Sequence, residues 1–251
     1  MRRTTRPSSR RTRTGLALSV LTALSVAALG ACADSGAPDD GGSTRAAAPE
    51  KKAPDPAAEL KSAVLTEGDV SGFKVRKPDQ EYAFATSRDR IKVDKAACAP
   101  LAYAMNQFAP GTAEAEVTRV AAPGGKSVGS FTYITLAAYA DGAAKSTLAE
   151  VTKAVGTCAG GFTAKSGGSS SAYDTIAREP GTAPSGTDGA TAFRATTKYQ
   201  GVTHTMRTRL VRHGDTLAVY FAVDGMAFTQ GRPGDAGVAP AVVKAQGAKL
   251  K

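Results

Sequence analysis

Apolar residues recur at helical spacing in several segments of the chain. The clearest segment follows Asp141, a residue type that favours helix N-termini, and its apolar positions are spaced by four, three, four and three residues. These positions are Ala144, Leu148, Val151, Val155 and Cys158. Shorter helices are predicted over residues 57–65, 95–108 and 240–249. The pattern therefore predicts four helices, the longest of which buries the face that bears Cys158.

Alternation of apolar and polar residues predicts strands in much of the remaining chain. A hairpin is expected from residues 116–121 and 127–139, which flank a glycine-rich turn. A three-stranded meander is expected from residues 190–199, 202–212 and 216–224.

The meander also predicts how the sheet is covered. Apolar residues alternate through its last strand at Leu217, Val219, Phe221 and Val223, which indicates a sheet with one covered face. Residues 167–171 and 181–189 are rich in glycine and serine and are expected to form loops. The predicted fold class is α+β, a single domain with an antiparallel sheet covered by helices.

Residues 33–57 precede this domain and have a different composition. They contain no aromatic or branched aliphatic residue, so they cannot bury enough apolar surface to offset the entropy of ordering. We expect a disordered tether at residues 32–57 and the folded domain at residues 58–251.

The N-terminus has the organisation of a secretory signal peptide. Six arginines lie in the first thirteen residues, and residues 15–29 form an uncharged apolar run that is short for a membrane span. Leu29, Gly30 and Ala31 precede Cys32 in the pattern of a bacterial lipobox, which predicts residues 1–31 as signal peptide and Cys32 as the lipidated first residue. Ordinary cleavage after Ala33 is the alternative, and both Sec and twin-arginine export remain open.

The signal peptide predicts where the protein is located, and its removal changes the net charge that bears on possible partners. A lipidated Cys32 places the protein at the outer face of the cytoplasmic membrane, with the membrane as a partner through the anchor. The formal net charge of the full chain is +10. Removal of the six signal arginines leaves 26 basic and 22 acidic residues, so the net charge of the mature chain is about +4. The charge therefore gives no support to nucleic-acid binding.

Cys98 and Cys158 are the remaining cysteines. An isolated pair in an oxidising compartment is most simply a disulfide. A metal site or a reactive thiol is the alternative, but neither cysteine lies in a CxxC motif or beside a histidine.

The sequence assigns no catalytic residue, metal ligand or cofactor. Residues 125–129 have the spacing of a nucleophile elbow, but they lie in a predicted hairpin turn, and that motif needs a strand followed by a helix. The spacing of His204 and His213 relative to nucleophiles and possible metal ligands forms no catalytic triad or zinc-site motif.

One group of residues suggests a binding site. Arg207 and Arg209 share a face of one predicted strand, and Arg194 and Lys198 share a face of the preceding strand. Antiparallel pairing could join the two pairs into a surface for an anionic envelope ligand such as a wall polymer, a phospholipid headgroup or a phosphorylated glycan. Solubility and edge protection are the alternative explanation for these cations.

The layout resembles a group of actinobacterial proteins. The lipobox, the tether, the stretch from Leu65 to Phe73, and Cys98 and Cys158 around a hairpin and helix are similar to sensor-domain lipoproteins related to the extracellular domain of mycobacterial PknH-type kinases. The resemblance implies a sensor or ligand-binding domain with a cleft. Members usually have two disulfides, whereas this chain has cysteines for one, and no catalytic residues come with the resemblance.

Together these features predict a lipid-anchored, non-catalytic sensor-like or ligand-binding domain at the cell envelope. Its partner would be an anionic envelope ligand or an envelope protein. An envelope hydrolase or transferase with a dispersed active site is one alternative, and a deep pocket with His204 or His213 beside Ser, Asp or Glu would indicate it. A structural adaptor is another, and a large exposed apolar patch would indicate it.

Overall fold

The computed structural model describes residues 55–124, 130–180 and 183–250. Within these residues a single sheet contains ten strands. The strands are β1 Phe73–Arg76, β2 Lys92–Val93, β3 Ala115–Pro123, β4 Phe131–Ala138, β5 Phe162–Ser166, β6 Ser169–Arg178, β7 Ala190–Tyr199, β8 Val202–His213, β9 Thr216–Val223 and β10 Gly234–Asp235.

The strands follow the order β1-β3-β4-β9-β8-β7-β6-β5-β2, and all of these neighbours are antiparallel. The short β10 is parallel to the first part of β8, with Gly234 opposite His204. The predicted fold class, an antiparallel sheet with helices, is confirmed.

Five α-helices accompany the sheet in the described ranges. They are α1 Pro56–Ala63, α2 Ala99–Ala104, α3 Ala143–Thr157, α4 Gly225–Gln230 and α5 Pro240–Lys249. None of these helices is long and apolar enough to cross a membrane. The signal peptide, the lipidation site Cys32 and most of the tether lie outside the described residues.

The two sides of the sheet bury different helices. On one side, which we call the disulfide side, α2 and α3 pack over β5 to β9 through residues such as Val151, Phe193 and Leu210. On the opposite side, α1 and α5 pack over β3, β4 and β9 through residues such as Leu60 and Val242. Burial of apolar area at about 25 cal/mol per Å² on each side is the main stabilising contribution.

Cys98 and Cys158 form a disulfide with a Cα–Cα distance of 5.9 Å. Cys98 ends a short 3₁₀ turn before α2, and Cys158 follows the last residue of α3. Both residues are buried in the core of the disulfide side. The bridge therefore links the two helices that cover this side of the sheet.

The start and length of two helices differ from the predictions. Gly142, with φ of 72°, is the residue before α3, and Asp141 does not cap the helix. The helix predicted over residues 95–108 is limited to the 3₁₀ turn and α2, because the chain turns sharply at Gln107, where φ is 67°. The buried face predicted for α3 is present, with Ala144, Val151 and Val155 inside.

Residues 167–171 do not form a loop. They contain the tight turn between β5 and β6, with Gly167 at φ of 57°. A bulge between Tyr173 and Thr175 shifts the alternation of β6 by one residue. This shift and the small polar residues of both strands hide them in the sequence.

The alternation in β9 predicted burial on one side of the sheet, but β9 is buried on both sides. Leu217 and Val219 face the disulfide side as expected, but Ala218, Tyr220 and Ala222 on the opposite side are also buried. β9 lies between β4 and β8 near the middle of the sheet, where helices cover both sides. One covered face is therefore correct only for the outer strands.

Candidate functional site

A cleft of about 400 Å³ opens beside β3 on the disulfide side. It exists because β1 pairs only with the second half of β3 and ends at Arg76. Pro78 follows two residues later and cannot donate a hydrogen bond to a strand neighbour. The chain over residues 77–86 therefore leaves the sheet and forms one wall of the cleft, above the unpaired half of β3.

The opposite wall is the turn that ends α2. Gln107 has a left-handed backbone, and its carbonyl oxygen lies within hydrogen-bond distance of the hydroxyls of Thr118, at 3.4 Å, and Thr135, at 3.3 Å. The two threonine hydroxyls are 3.0 Å apart, and because each has one proton, one of them can donate to the other while the second donates to the Gln107 carbonyl. Such a backbone conformation costs on the order of 1–2 kcal/mol in a residue other than glycine, so neighbouring contacts must hold it.

Neighbouring residues fix this wall further. Asn106 donates to the carbonyl of Ala102 at 2.7 Å, and the Glu116 carboxylate accepts from the backbone of Ala109 at 2.8 Å. Glu116 is thereby engaged with the protein itself. The wall that bears Gln107 is held from both the helix and the sheet.

The lining of the cleft is mixed. Pro78, Ala85 and Phe108 supply apolar surface, and several side chains supply hydrogen-bonding groups. In the described part of the chain, four of these side chains make no hydrogen bond or ion pair with protein: Lys77, Gln80, Thr86 and Gln107. None of the described histidines or cysteines belongs to the lining. The lining therefore combines two cations, Lys77 and Arg119, and one carboxylate, Glu116, with several neutral donors and acceptors for a polar ligand.

The sequence did not point to this cleft. Its walls are irregular segments, and they meet only because α2 stops at Ala104 and β1 stops at Arg76. The dipeptide Lys77-Pro78 was the one available signal, since it marks the end of the strand.

The structure brings the four predicted cations to one side of the sheet, opposite the disulfide side. Arg194 on β7 lies directly across from Arg207 on β8, and Lys198 lies across from Thr203. Arg209 is two residues further along β8, across from Ala192. The four side chains therefore share one surface.

Arg207 differs from the other three cations because it is already paired. It donates to the Glu179 carboxylate at 2.8 Å and forms a second ion pair with Asp235. The hydrogen bond to Asp235 is the main cause of a raised pKa for this guanidinium. Within residues 55–124, 130–180 and 183–250, Arg194, Lys198 and Arg209 have no such partner.

The two histidines lie elsewhere. His204 is only 1% exposed and stacks on Phe228 of α4, with ring centroids 3.8 Å apart. Neither of its ring nitrogens has a hydrogen-bond partner among the described residues, and burial lowers its pKa. His213 is half-buried near Gly247 of α5. Neither histidine lines the cleft.

The described residues contain no cluster of metal-ligand residues and little exposed apolar surface. No three His, Cys, Asp or Glu side chains come together there as a metal site would require. Tyr199 is the one large hydrophobic residue exposed there, at 47%. The residues with nucleophile-elbow spacing, 125–129, lie outside the described ranges.

Comparisons with known proteins give similarity at the level of structure. No protein-family model matches the chain, and no curated protein matches its sequence. The extracellular domain of PknH from Mycobacterium tuberculosis aligns over 78% of this chain and 95% of its own, with 12% identity and a TM-score of 0.49. A putative uncharacterized protein from Mycobacterium smegmatis aligns over 77% and 94%, with 12% identity and a TM-score of 0.35.

Proposed function

We propose that this protein is a lipid-anchored extracytoplasmic domain that binds a small polar ligand in the cleft beside β3. The observation that carries the proposal is a set of polar side chains in that cleft that have no hydrogen-bond or ion-pair partner among the described residues: Lys77, Gln80, Thr86 and Gln107. A concave site that combines apolar surface with a small number of polar groups is the usual form of a small-molecule site.

The ligand class follows from the lining. Lys77 favours a carboxylate or phosphate, and the neutral amides and hydroxyl favour a molecule with several hydroxyl groups. Phe108 and Pro78 provide apolar contact for the faces of a sugar ring. An acidic sugar derivative meets all three requirements, and it would occupy the site as a sensed or captured ligand.

Location outside the cytoplasm is supported by two independent features. The lipobox at Cys32 predicts membrane anchoring, and the Cys98–Cys158 disulfide is of a kind that persists in oxidising compartments. A diacylglyceryl group carries two acyl chains, which suffice for stable anchoring where a single chain does not.

One sample tests both the anchor and the ligand. The full chain is extracted from membranes, and its intact mass is measured under native and denaturing conditions. The proposal predicts a chain that begins at Cys32 with a diacylglyceryl group and that retains a small acidic molecule. An unmodified chain that begins after Ala33 would refute the anchor, and a chain with no retained molecule would refute the ligand site.

A matched pair of variants locates the retained molecule. Thr86→Trp places a bulky ring at the wall of the cleft, and Ser146→Trp places the same ring on the exposed surface of α3. The retained molecule should disappear from the first variant and persist in the second. Retention in both variants would place the site outside the cleft.

A further inference from the structure

We propose that the sheet surface opposite the disulfide side, over β8, β7, β6, β5 and β2, binds an extended phosphate-bearing polymer of the envelope. This inference goes beyond the cleft and does not depend on it. The surface is named here the basic band, and its cations are Arg207, Arg209, Arg194, Lys198, Lys165 and Lys92.

Strand register places Lys165 and Lys92 on the same side as the four cations already described. In β5, Phe162 and Ala164 face the buried core of the disulfide side, so the alternate residue Lys165 faces away from it. Lys92 pairs directly with Lys165 and therefore shares its side. Both lysines are exposed.

The band is wide compared with a single anion. Neighbouring strands are about 4.8 Å apart, so the four spacings from β8 to β2 give a width of about 19 Å. One phosphate can contact only two or three of these cations. Their full number is used only by a ligand with repeated charges.

The side chains between the cations are short, and several of them have hydroxyl groups. Strand β6 contributes Ala172, Thr175 and Ala177, and the hydroxyls of Thr175 and Thr196 are hydrogen-bonded at 2.7 Å. Thr203 and Thr205 lie on the same side of β8. Small side chains and hydroxyls allow a polyol or sugar backbone to approach the sheet closely.

Charge complementarity decides the occupant. Among the described residues four carboxylates lie at the band, and two of them, Glu179 and Asp235, are engaged by Arg207. Asp94, two residues after Lys92, accepts a hydrogen bond from the backbone of Thr163 in β5 at 2.9 Å. The fourth is Asp174, the extra residue of the β6 bulge. Six cations therefore exceed the carboxylates, and guanidinium groups suit phosphate oxygens because they donate in pairs.

A lipid surface fits less well than a polymer. Membrane-binding surfaces combine cations with large apolar side chains that enter the headgroup region. Among the described residues the one large exposed hydrophobic is Tyr199, which contacts Phe228 on the disulfide side. The occupant that suits this band is thus a chain of phosphodiester-linked polyol or sugar units.

The test measures binding of a fluorescent ten-unit poly(glycerol phosphate) to the full lipoprotein in detergent. Arg194→Gln with Lys198→Gln, and separately Lys92→Gln with Lys165→Gln, remove two charges each from the band. Lys145→Gln with Lys153→Gln removes two charges from the exposed surface of α3 and is the matched control. Unfolding midpoints verify that all three double variants are folded.

We expect each pair from the band to weaken binding by about tenfold at low salt and the control pair to change it by less than about twofold. The loss should shrink as salt rises, since salt screens exposed charges. Equal losses in all three pairs, or no binding by the unmodified protein, would overturn the proposal. Stronger competition by phosphatidylglycerol in the micelles than by unlabelled polymer would assign the band to lipid headgroups and would also overturn it.

Discussion

The side chain of Gln246 in α5 completes the end of α1, although the two helices are far apart in the sequence. Its Oε1 accepts a hydrogen bond from the backbone of Leu65 at 3.0 Å, and its Nε2 donates to the carbonyl of Ala63 at 2.9 Å. Gln246 is fully buried. A helix leaves its last carbonyls without internal partners, so this amide satisfies groups that burial would otherwise leave unpaired.

Gln246→Leu should lower the free energy of unfolding by about 3 kcal/mol, because two buried backbone groups lose their partners. Urea unfolding followed by circular dichroism measures the change. Lys244→Leu, at an exposed position of the same helix, should change stability by less than about 0.5 kcal/mol. Equal effects in the two variants would contradict a specific role for the Gln246 amide.

Loss of the disulfide should destabilise the protein strongly. The Cys98→Ala, Cys158→Ala double variant removes a bridge between residues 60 positions apart, which corresponds to about 4 kcal/mol in the chain-entropy model. The unfolding midpoint of the oxidised protein is compared with that of the double variant. Addition of reductant should lower the midpoint of the parent protein and leave that of the variant unchanged. A parent protein insensitive to reductant would show that the bridge does not form.

Gly161 should tolerate no side chain. Its φ is 77°, and an added Cβ would lie 2.1 Å from the carbonyl oxygen of Tyr173. Gly161→Ala must therefore move the backbone between α3 and β5, at a cost of at least about 3 kcal/mol.

Gly167 provides the control for this substitution. It also has a positive φ, of 57°, but nothing lies within 4 Å of an added Cβ. Gly167→Ala should cost about 1 kcal/mol, the conformational term alone. Thermal unfolding of both variants distinguishes a steric clash of the added Cβ at Gly161 from the cost of the left-handed backbone alone. Similar unfolding midpoints for the two variants would contradict the steric clash.

Burial of His204 predicts a loss of stability in acid. Burial lowers the pKa of His204 in the folded protein, and the nearby charge of Asp224 raises it by a smaller amount. The histidine therefore binds a proton more readily in the unfolded chain than in the folded protein. The stabilisation is complete above the unfolded pKa, about 6.5, and declines as pH falls toward the folded pKa. The decline cannot exceed about 1.4 kcal/mol per pH unit for one group.

His204→Phe should reduce this pH dependence while keeping the stack on Phe228. The free energy of unfolding is measured at several pH values between 7 and 5. The pKa of His213 is also lowered by burial, so part of the dependence should persist in this variant. A slope unchanged from that of the parent would exclude His204 as its source.

The predictions from sequence succeeded where side chains repeat with a clear period. The meander strands and the buried face of α3 have such periods, and both are present. The predictions failed where an inserted residue interrupts the period, and where a segment is a strand only because it pairs with a neighbouring strand. The bulge near Tyr173 hid β6, and β10 consists of two residues that become a strand only beside β8.

Site prediction followed the same division. Arg194 and Arg207 could be placed on one side because strand alternation fixes it, whereas the carboxylates of Glu179 and Asp235 that engage Arg207 come from neighbouring segments. The cleft depends on where β1 and α2 stop and on the left-handed turn at Gln107. Tertiary contacts determine where these elements end, so a periodic pattern in the sequence does not predict their last residues.

The bridge between Cys98 and Cys158 also makes a covalent ring of the chain that includes α2, β3, β4 and α3. A protease that cuts one peptide bond inside this ring opens the loop without releasing a fragment. The nicked protein remains one molecule, with β3 and β4 still attached to the meander, and a gel separates its two pieces only after reduction. With the proposed anchor at Cys32, a single proteolytic cut in this region would leave the whole nicked chain attached to the membrane.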